Sequence, residues 1–302
     1  MRVLVAGWFS FRGMGTTAGD LWARDVAVSW LAGAGIPYDI STVAPFGDGV
    51  DWRTTGPAKY THVVYVCGPF GNGPPIAEFL HKFRKCRLFG LNLSMLQPLE
   101  DWNPFEVLFE RDSTRTVRPD ISLLHRSTSR GIAGLIRVHP QNEYGTRGRH
   151  AQANQALSEV LRAKTIVAIP IDTCLENNPM GLSHPAQIEA LISRMDFVAT
   201  TRLHGLTLAL KNGIPALVVD PIKGNAKVSY QASVLGWPAV IGVDELSEGR
   251  LADLCTYCLT AEARAKAREC GMRAIRSLAG LRDEFLTAVM KTPARSARDS
   301  VR

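Results

Sequence analysis

The segment Met195 to Asp220 constrains the fold more than any other stretch of this chain. Met195-Asp196 leads into the apolar run Phe197-Val198-Ala199, and a helical pattern follows through Lys211. Gly213 and Pro215 end that pattern, and Ala216-Leu217-Val218-Val219-Asp220 is a second apolar run. Strand, helix and strand in such quick succession make a βαβ unit, and that unit demands a parallel sheet with helices on its faces.

The rest of the chain repeats this alternation. Strands are predicted at Val3–Ala6, Tyr38–Val43, Val63–Cys67, Arg87–Leu93 and Val107–Phe109. Helices are predicted from Asp20, carrying Trp22, Val26 and Trp30, and from Pro75, carrying Ile76, Phe79, Leu80 and Phe83. A second series starts near Gly131, with strands at Ile132–Val138, Ile166–Ile169, Phe197–Thr200, Leu217–Val219 and Val240–Val243. It includes a helix at Ala151–Leu161 and ends in a long helical stretch from Ala261 to Met290. With 302 residues the chain has room for two domains of roughly 150 each. The expectation is an α/β protein of two Rossmann-like domains, 1–130 and 131–302, with a polar, frayed tail from Thr292 to Arg302.

Composition narrows the functional classes. Apolar content of 46% and charged content of 21% describe an ordinary globular chain. No apolar run approaches the ~18 residues of a membrane span. Val3-Leu4-Val5-Ala6 is too short to be a signal-peptide core, so the expected location is the cytoplasm. The net charge of +7 suits an acidic partner. The arginines are dispersed and not interleaved with aromatics, which argues against nucleic acid and for an anionic small molecule. An acceptor carried at an inner membrane face fits the same charge. Cys255-Thr-Tyr-Cys258 has metal-like spacing, but Cys270 is the only nearby third thiol. The pair falls in a helical stretch, and buried thiols are the expected reading, with no metal site.

Thr201-Arg202-Leu203-His204-Gly205 stands where the Phe197 strand gives way to a helix. Open α/β sheets bind ligands in that crevice, and a helix N-terminus offers free N–H groups and a favourable dipole to an anion. Arg202 adds a planar fork suited to phosphate or carboxylate. A cation at this end of a helix runs against the dipole, which itself suggests a neighbouring anion. Histidine is the side chain best suited to passing a proton near neutrality. His204 lies about 100° from Leu203 on the helix, off the apolar stripe of Leu203, Leu206 and Leu210.

Asp196-Phe-Val-Ala-Thr-Thr-Arg-Leu-His-Gly, followed by Ala209, Gly213, Pro215, Asp220 and Lys227-Val228, resembles the signature of the polysaccharide pyruvyl transferases. The match is densest from about Asp196 to Trp237. The resemblance implies phosphoenolpyruvate as donor and a sugar or glycan as acceptor, with a pyruvate ketal as product. It also implies the glycosyltransferase-B arrangement of two Rossmann-like domains facing across a cleft, the N-terminal one on the acceptor side and the C-terminal one holding the donor. His204 is then the acid/base that protonates the donor methylene. Arg202 and Lys227 hold its charges, with Lys227 a better match than Lys223.

Arg111, in Phe-Glu-Arg-Asp-Ser, and Arg137, in Leu-Ile-Arg-Val-His, resemble two further arginine positions of the family. A phosphate plus a carboxylate wants two or three cations, so both are candidates. His139 is expected on a surface loop, with the same cleft as the alternative. Gly19-Asp20 matches a family Asn-x-Gly-Asp element, though Ala18 replaces its asparagine. Asp20 is therefore a candidate substrate contact or a simple helix cap. The turn after the third strand, Cys67-Gly-Pro-Phe-Gly-Asn-Gly73, is a second departure. No cofactor or metal is required, because side-chain cations can carry the phosphate charge.

Two other readings remain at this level. One is a glycosyltransferase of the same architecture using a nucleotide sugar, with Glu176 or Glu189 gripping the ribose. The other is a diverged, non-catalytic glycan-binding member. Fold alone does not separate them.

Overall fold

Strand β1 (Val3–Ala6) shows why the first sheet forms. Val3 and Val5 point to one face and Leu4 and Ala6 to the other, and all four are buried. A parallel strand buried on both faces needs helices above and below it. The computed structural model describes residues 1–127 and 131–291. Its chain divides into two compact units, Met1–Thr128 and Ser129–Arg302. The division falls among residues outside those described, as does the expected polar tail from Thr292.

The first unit continues with α1 (Ala18–Gly33), β2 (Tyr38–Ile40), β3 (His62–Val66), β4 (Pro69–Phe70), α2 (Ile76–Lys82), β5 (Arg87–Met95) and β6 (Val107–Asp112). Its sheet runs β2-β1-β3-β5-β4, with β6 also on β5, and every pairing is parallel. One face carries an aromatic core in which Phe11, Tyr65, Phe70, Phe79 and Phe83 join Leu4 and Val63. The other face packs Val3, Val5, Phe9 and Val66 against Ala23 and Ala27 of α1.

The second unit contains β7 (Ile132–Ile136), α3 (His150–Ala163), β8 (Val167–Pro170), α4 (Pro185–Ile192), β9 (Phe197–Thr200), α5 (Leu203–Lys211), β10 (Ala216–Asp220), α6 (Lys227–Leu235), β11 (Val240–Gly242), α7 (Glu248–Cys258), α8 (Ala261–Ser277) and α9 (Leu281–Lys291). Its sheet is fully parallel in the order β8-β7-β9-β10-β11. Counted from β7, this is the doubly wound order 2-1-3-4-5. Its topological switch point lies between β7 and β9, where such sheets open a ligand crevice. The fold class is α/β, with one doubly wound parallel sheet in each unit.

Four details differ from the sequence expectation. Helix α1 starts at Ala18, so Asp20 is the third residue of its first turn and does not open it. Pro69–Phe70, expected as turn, is a short strand that pairs with Ser94 and Met95. The long final helix is two helices, because the chain turns at residues 278–280, where Gly280 lowers helix propensity. Strand β2 stops at Ile40, three residues early, and Ser41 instead bridges to Val50. Cys255, Cys258 and Cys270 are fully buried core residues on α7 and α8. No described helix is long and apolar enough to cross a membrane.

Candidate active site

The β9–α5 turn is built by two buried threonines. Thr200 Oγ1 donates to the Ile136 carbonyl at 2.9 Å and accepts from the Arg202 N–H at 2.9 Å. Thr201 Oγ1 accepts from the Val138 N–H at 2.9 Å and donates to Asn154 Oδ1 at 2.7 Å. Together they lock the segment after β7 to the segment after β9. Arg202 is the extended N-cap residue of α5 and makes no side-chain cap. The first-turn N–H groups of Leu203 and His204 therefore have no intrahelical partner.

A second helix N-terminus arrives beside the first. Asp220, wholly buried at the end of β10, accepts from the N–H groups of Ile222 (3.1 Å), Ala226 (2.9 Å) and Ser229 (2.9 Å). This carboxylate starts α6 and leaves the N–H groups of Lys227 and Val228 free for a ligand. The loop before α6 is stitched to residues 147–149, through Arg149 N–H to the Pro221 carbonyl (2.8 Å) and Lys223 N–H to the Arg147 carbonyl (2.9 Å).

Between the two helix ends lies a cavity of about 220 Å³ lined by Arg202, Leu203, His204, Lys227 and Val228, with Val138, Gln141, Thr201, Pro221 and Ile222 as its walls. Three of the residues singled out in the sequence, Arg202, His204 and Lys227, thus share one small cavity. At about 30 Å³ per water it displaces roughly seven waters, which suits a compact anion. It is small beside the roughly 300–1,000 Å³ of drug-sized ligand sites. The His204 side chain is exposed and has no hydrogen-bond partner among the described residues. Lys227 Nζ stands 5.7 Å from the centre of the Tyr144 ring, a cation–π contact. A larger hollow of about 680 Å³ between α3 and α7, lined by Gln152, Gln155, Glu159 and Lys164, gathers no comparable set of cations.

Arg202 is not a bare cation. Its Nη1 donates to Asp172 Oδ1 at 3.1 Å and to Thr173 Oγ1 at 3.0 Å, while Nε and Nη2 have no partner among the described residues. The anion that the adverse dipole suggested is Asp172 itself. Asp172 Oδ2 bonds His139 Nε2 at 2.8 Å, and Oδ1 also accepts from the Cys174 N–H at 2.9 Å. Burial alone would raise the Asp172 carboxyl. The Cys174 N–H, His139 and Arg202 outweigh it and hold the group below its ordinary value. A neighbouring cavity of about 530 Å³ is lined by Arg137, His139, Asn154 and Asp172, and Val138 borders both cavities. Arg137 is exposed, with no side-chain partner among the described residues. Glu176 and Glu189 line neither cavity, and Glu189 is bonded to Lys211 and Asn212.

The remaining two candidates belong to the first unit. Arg111 pairs with Asp120 at 2.8 Å and Asp112 at 3.1 Å and also donates to Ser94 Oγ, so its charge is already matched. Asp20 accepts from the Thr17 N–H and hydroxyl, both at 2.8 Å, as the third helical residue of a capping box. Both lie near Cys67, whose thiol is pushed up to about 12, chiefly by burial and then by the Asp20 charge. Sequence reasoning missed Asp172, Tyr144 and His150. Only Asp172 carried a signal, its place just beyond the end of β8. The His150 imidazole is held below its ordinary value by burial, with Lys227 acting in the same direction against Glu143.

Residues 156–222 match the family model for polysaccharide pyruvyl transferase. The matched segment runs from α3 to the residue pair after β10 and contains Asp172, Arg202 and His204. Lys227, Arg137, Arg111 and Asp20 lie outside it. A transferase acting on glycans is the class this pyruvyl transferase match supports. No curated protein matches the chain.

Several solved structures are loosely similar. The spinosyn rhamnosyltransferase SpnG complexed with thymidine diphosphate is 13% identical, with 94% of this chain and 100% of that chain covered and a TM-score of 0.35. The UDP-GlcNAc 2-epimerase of Methanocaldococcus jannaschii is 9% identical, covering 92% and 99%, with a TM-score of 0.33. MurG of Acinetobacter baumannii is 12% identical, covering 90% and 94%, with a TM-score of 0.29. Likenesses this loose say nothing of this chain's chemistry.

Proposed function

We propose that this chain transfers an enolpyruvyl-derived group from phosphoenolpyruvate to two hydroxyls of a sugar, forming a pyruvate ketal. The observation that carries the reading is the convergence of Arg202, Lys227, His204 and two helix N-termini on one cavity of about 220 Å³. Phosphoenolpyruvate is a compact trianion. Its phosphate and carboxylate need cations and N–H donors on two sides, which the α5 and α6 ends provide. His204, which lines this cavity, is assigned to protonate the donor methylene, which makes C2 electrophilic toward a sugar hydroxyl.

Arg137 fits a third cation better than Arg111, because its side chain has no partner among the described residues while Arg111 is matched by two carboxylates. Asp20, on the first unit, is kept as a candidate acceptor contact. A glycan acceptor delivered at a membrane face is compatible with the net charge of +7.

Calorimetry tests the donor. Wild type binds phosphoenolpyruvate saturably, Arg202→Ala loses at least tenfold in affinity, and His204→Ala keeps most of it. Binding of UDP- or GDP-sugars with no phosphoenolpyruvate signal would replace pyruvyl transfer with glycosyl transfer.

A further inference from the structure

We infer that His139 and Asp172 form a carboxylate–imidazole dyad that takes the proton from the attacking sugar hydroxyl, and that the cavity of about 530 Å³ beside them receives the diol-bearing end of that sugar. The assignment rests on the pyruvyl-transfer reading and adds the base which that reading lacks. His204 supplies a proton to the donor. A hydroxyl attacking C2 must lose one, and a base is needed to accept it.

The geometry fixes the imidazole. Asp172 Oδ2 lies 2.8 Å from His139 Nε2, so Nε2 carries the hydrogen and Nδ1 is the free acceptor. Asp172 is itself held. Its Oδ1 takes the Cys174 N–H and Arg202 Nη1, and its carbonyl accepts from Asn178 Nδ2 at 2.9 Å. A carboxylate so anchored orients the ring and stabilises the imidazolium that forms. The Arg202–Asp172 bond links this dyad to a residue of the donor cavity, and the two cavities are neighbours that share Val138 beside the β7/β9 switch point. Pro140, Pro170 and Met180 give the larger cavity apolar walls for the carbon face of a pyranose, and Arg137 and the dyad give it polar ends.

The step balances. His204 gives a proton to C3 and the double-bond electrons form that C–H bond. The first hydroxyl oxygen bonds to C2, and its proton goes to His139 Nδ1. The C2–O bond to phosphate then breaks, its electron pair leaves with phosphate, and the proton on His139 goes with it. The second hydroxyl oxygen closes the ketal on C2, and its proton restores His204. Phosphoenolpyruvate and a diol become a pyruvate ketal and hydrogen phosphate.

The test is phosphate release from phosphoenolpyruvate with nitrophenyl β-galactoside, β-glucoside and β-mannoside as acceptors, alongside calorimetry of phosphoenolpyruvate alone. His139 is 60% exposed, so His139→Gln should melt with wild type. General-base catalysis supplies about 10²–10⁴-fold. His139→Gln is expected to lower kcat at least about 100-fold with the donor Kd within about twofold. Asp172→Asn, which keeps an oxygen for Arg202 but cannot balance an imidazolium, is expected to lower kcat with a smaller change in donor Kd. A kcat for His139→Gln within about threefold of wild type overturns the dyad and leaves pyruvyl transfer standing. Loss of donor binding in His139→Gln also overturns it, by making His139 a donor ligand. A wild type that releases no phosphate with any of these acceptors overturns the underlying reading, and the dyad with it.

Discussion

Gly205 is the position where one added methyl group should disturb both stability and the site. It lies in the first turn of α5, and a Cβ there would meet Thr200 Oγ1 at 2.1 Å, Thr200 Cβ at 2.8 Å and Ile136 Cγ2 at 3.2 Å. The nearest of these is more than 1 Å short of ordinary contact. Thr200 is fully buried and cannot swing away without giving up its bonds to the Ile136 carbonyl and the Arg202 N–H. Overpacking of this kind costs about 1–3 kcal/mol. A lost hydrogen bond adds about 1 kcal/mol. Alanine's better helix propensity returns at most about 1 kcal/mol. Gly205→Ala should therefore lose about 2 kcal/mol, which for a unit of this size lowers Tm by roughly 4–8 °C.

The same shift lifts the α5 N-terminus from β9, so affinity for phosphoenolpyruvate should fall about tenfold, or about 1.4 kcal/mol. Circular dichroism melts and calorimetry measure both. Gly249→Ala on α7 is the control, because a Cβ there meets nothing within 4 Å. It should gain several tenths of a kcal/mol. A Gly205→Ala protein that melts at or above wild type and binds the donor normally would refute the close-packing argument.

Asp220→Ala strands the N–H groups of Ile222, Ala226 and Ser229, and should cost about 3 kcal/mol in urea unfolding. A loss below about 1 kcal/mol would mean that this carboxylate does not hold α6 in place. Glu110 is wholly buried and lowered to about 2, first by Arg115, against burial, with Ser113 helping. A depressed carboxylate stabilises above its unfolded value and loses that contribution as pH falls through its folded value. The stability gap between wild type and Glu110→Gln should therefore shrink between about pH 4.5 and about pH 2, and a constant gap would contradict the pairing. Cys174 is the one half-exposed thiol of six, while burial holds Cys67 and Cys255 at about 12 and about 11. A thiol reagent should modify one cysteine quickly in the native protein, and Cys174→Ser should abolish that phase.

The β9–α5–β10 segment was the most legible part of the chain, for a local reason. An apolar run, a helical stripe and Gly213-Ile-Pro215 leave one arrangement open, and Phe197–Thr200, Leu203–Lys211 and Ala216–Asp220 follow it. Arg202 and His204 could be placed at a helix N-terminus on the same grounds. Lys227 joined them only because β10 and β9 are neighbours, which the alternation of strands and helices implies but does not order. Asp172 is legible only by its place just beyond the end of β8, and its role is not. Its partners Arg202 and His139 are 30 and 33 residues away, and nothing in Pro170-Ile-Asp-Thr173 specifies an ion pair. The break between α8 and α9 is hidden in the sequence because apolar residues continue at helical spacing through Leu278 and Leu281, and a single Gly280 is weak punctuation. Asp20 resembles a helix opener in the sequence because an aspartate before a helix is usually a cap, whereas Thr17 takes that place.

The central claim is the identity of the group transferred. Mass spectrometry of the products formed from a nitrophenyl glycoside and phosphoenolpyruvate tests it most directly. The account predicts a glycoside heavier by one pyruvic acid less one water, formed in step with released phosphate and absent in His204→Ala. An unchanged glycoside with phosphoenolpyruvate, together with a glycoside lengthened by one sugar when UDP- or GDP-sugars are supplied, would contradict it.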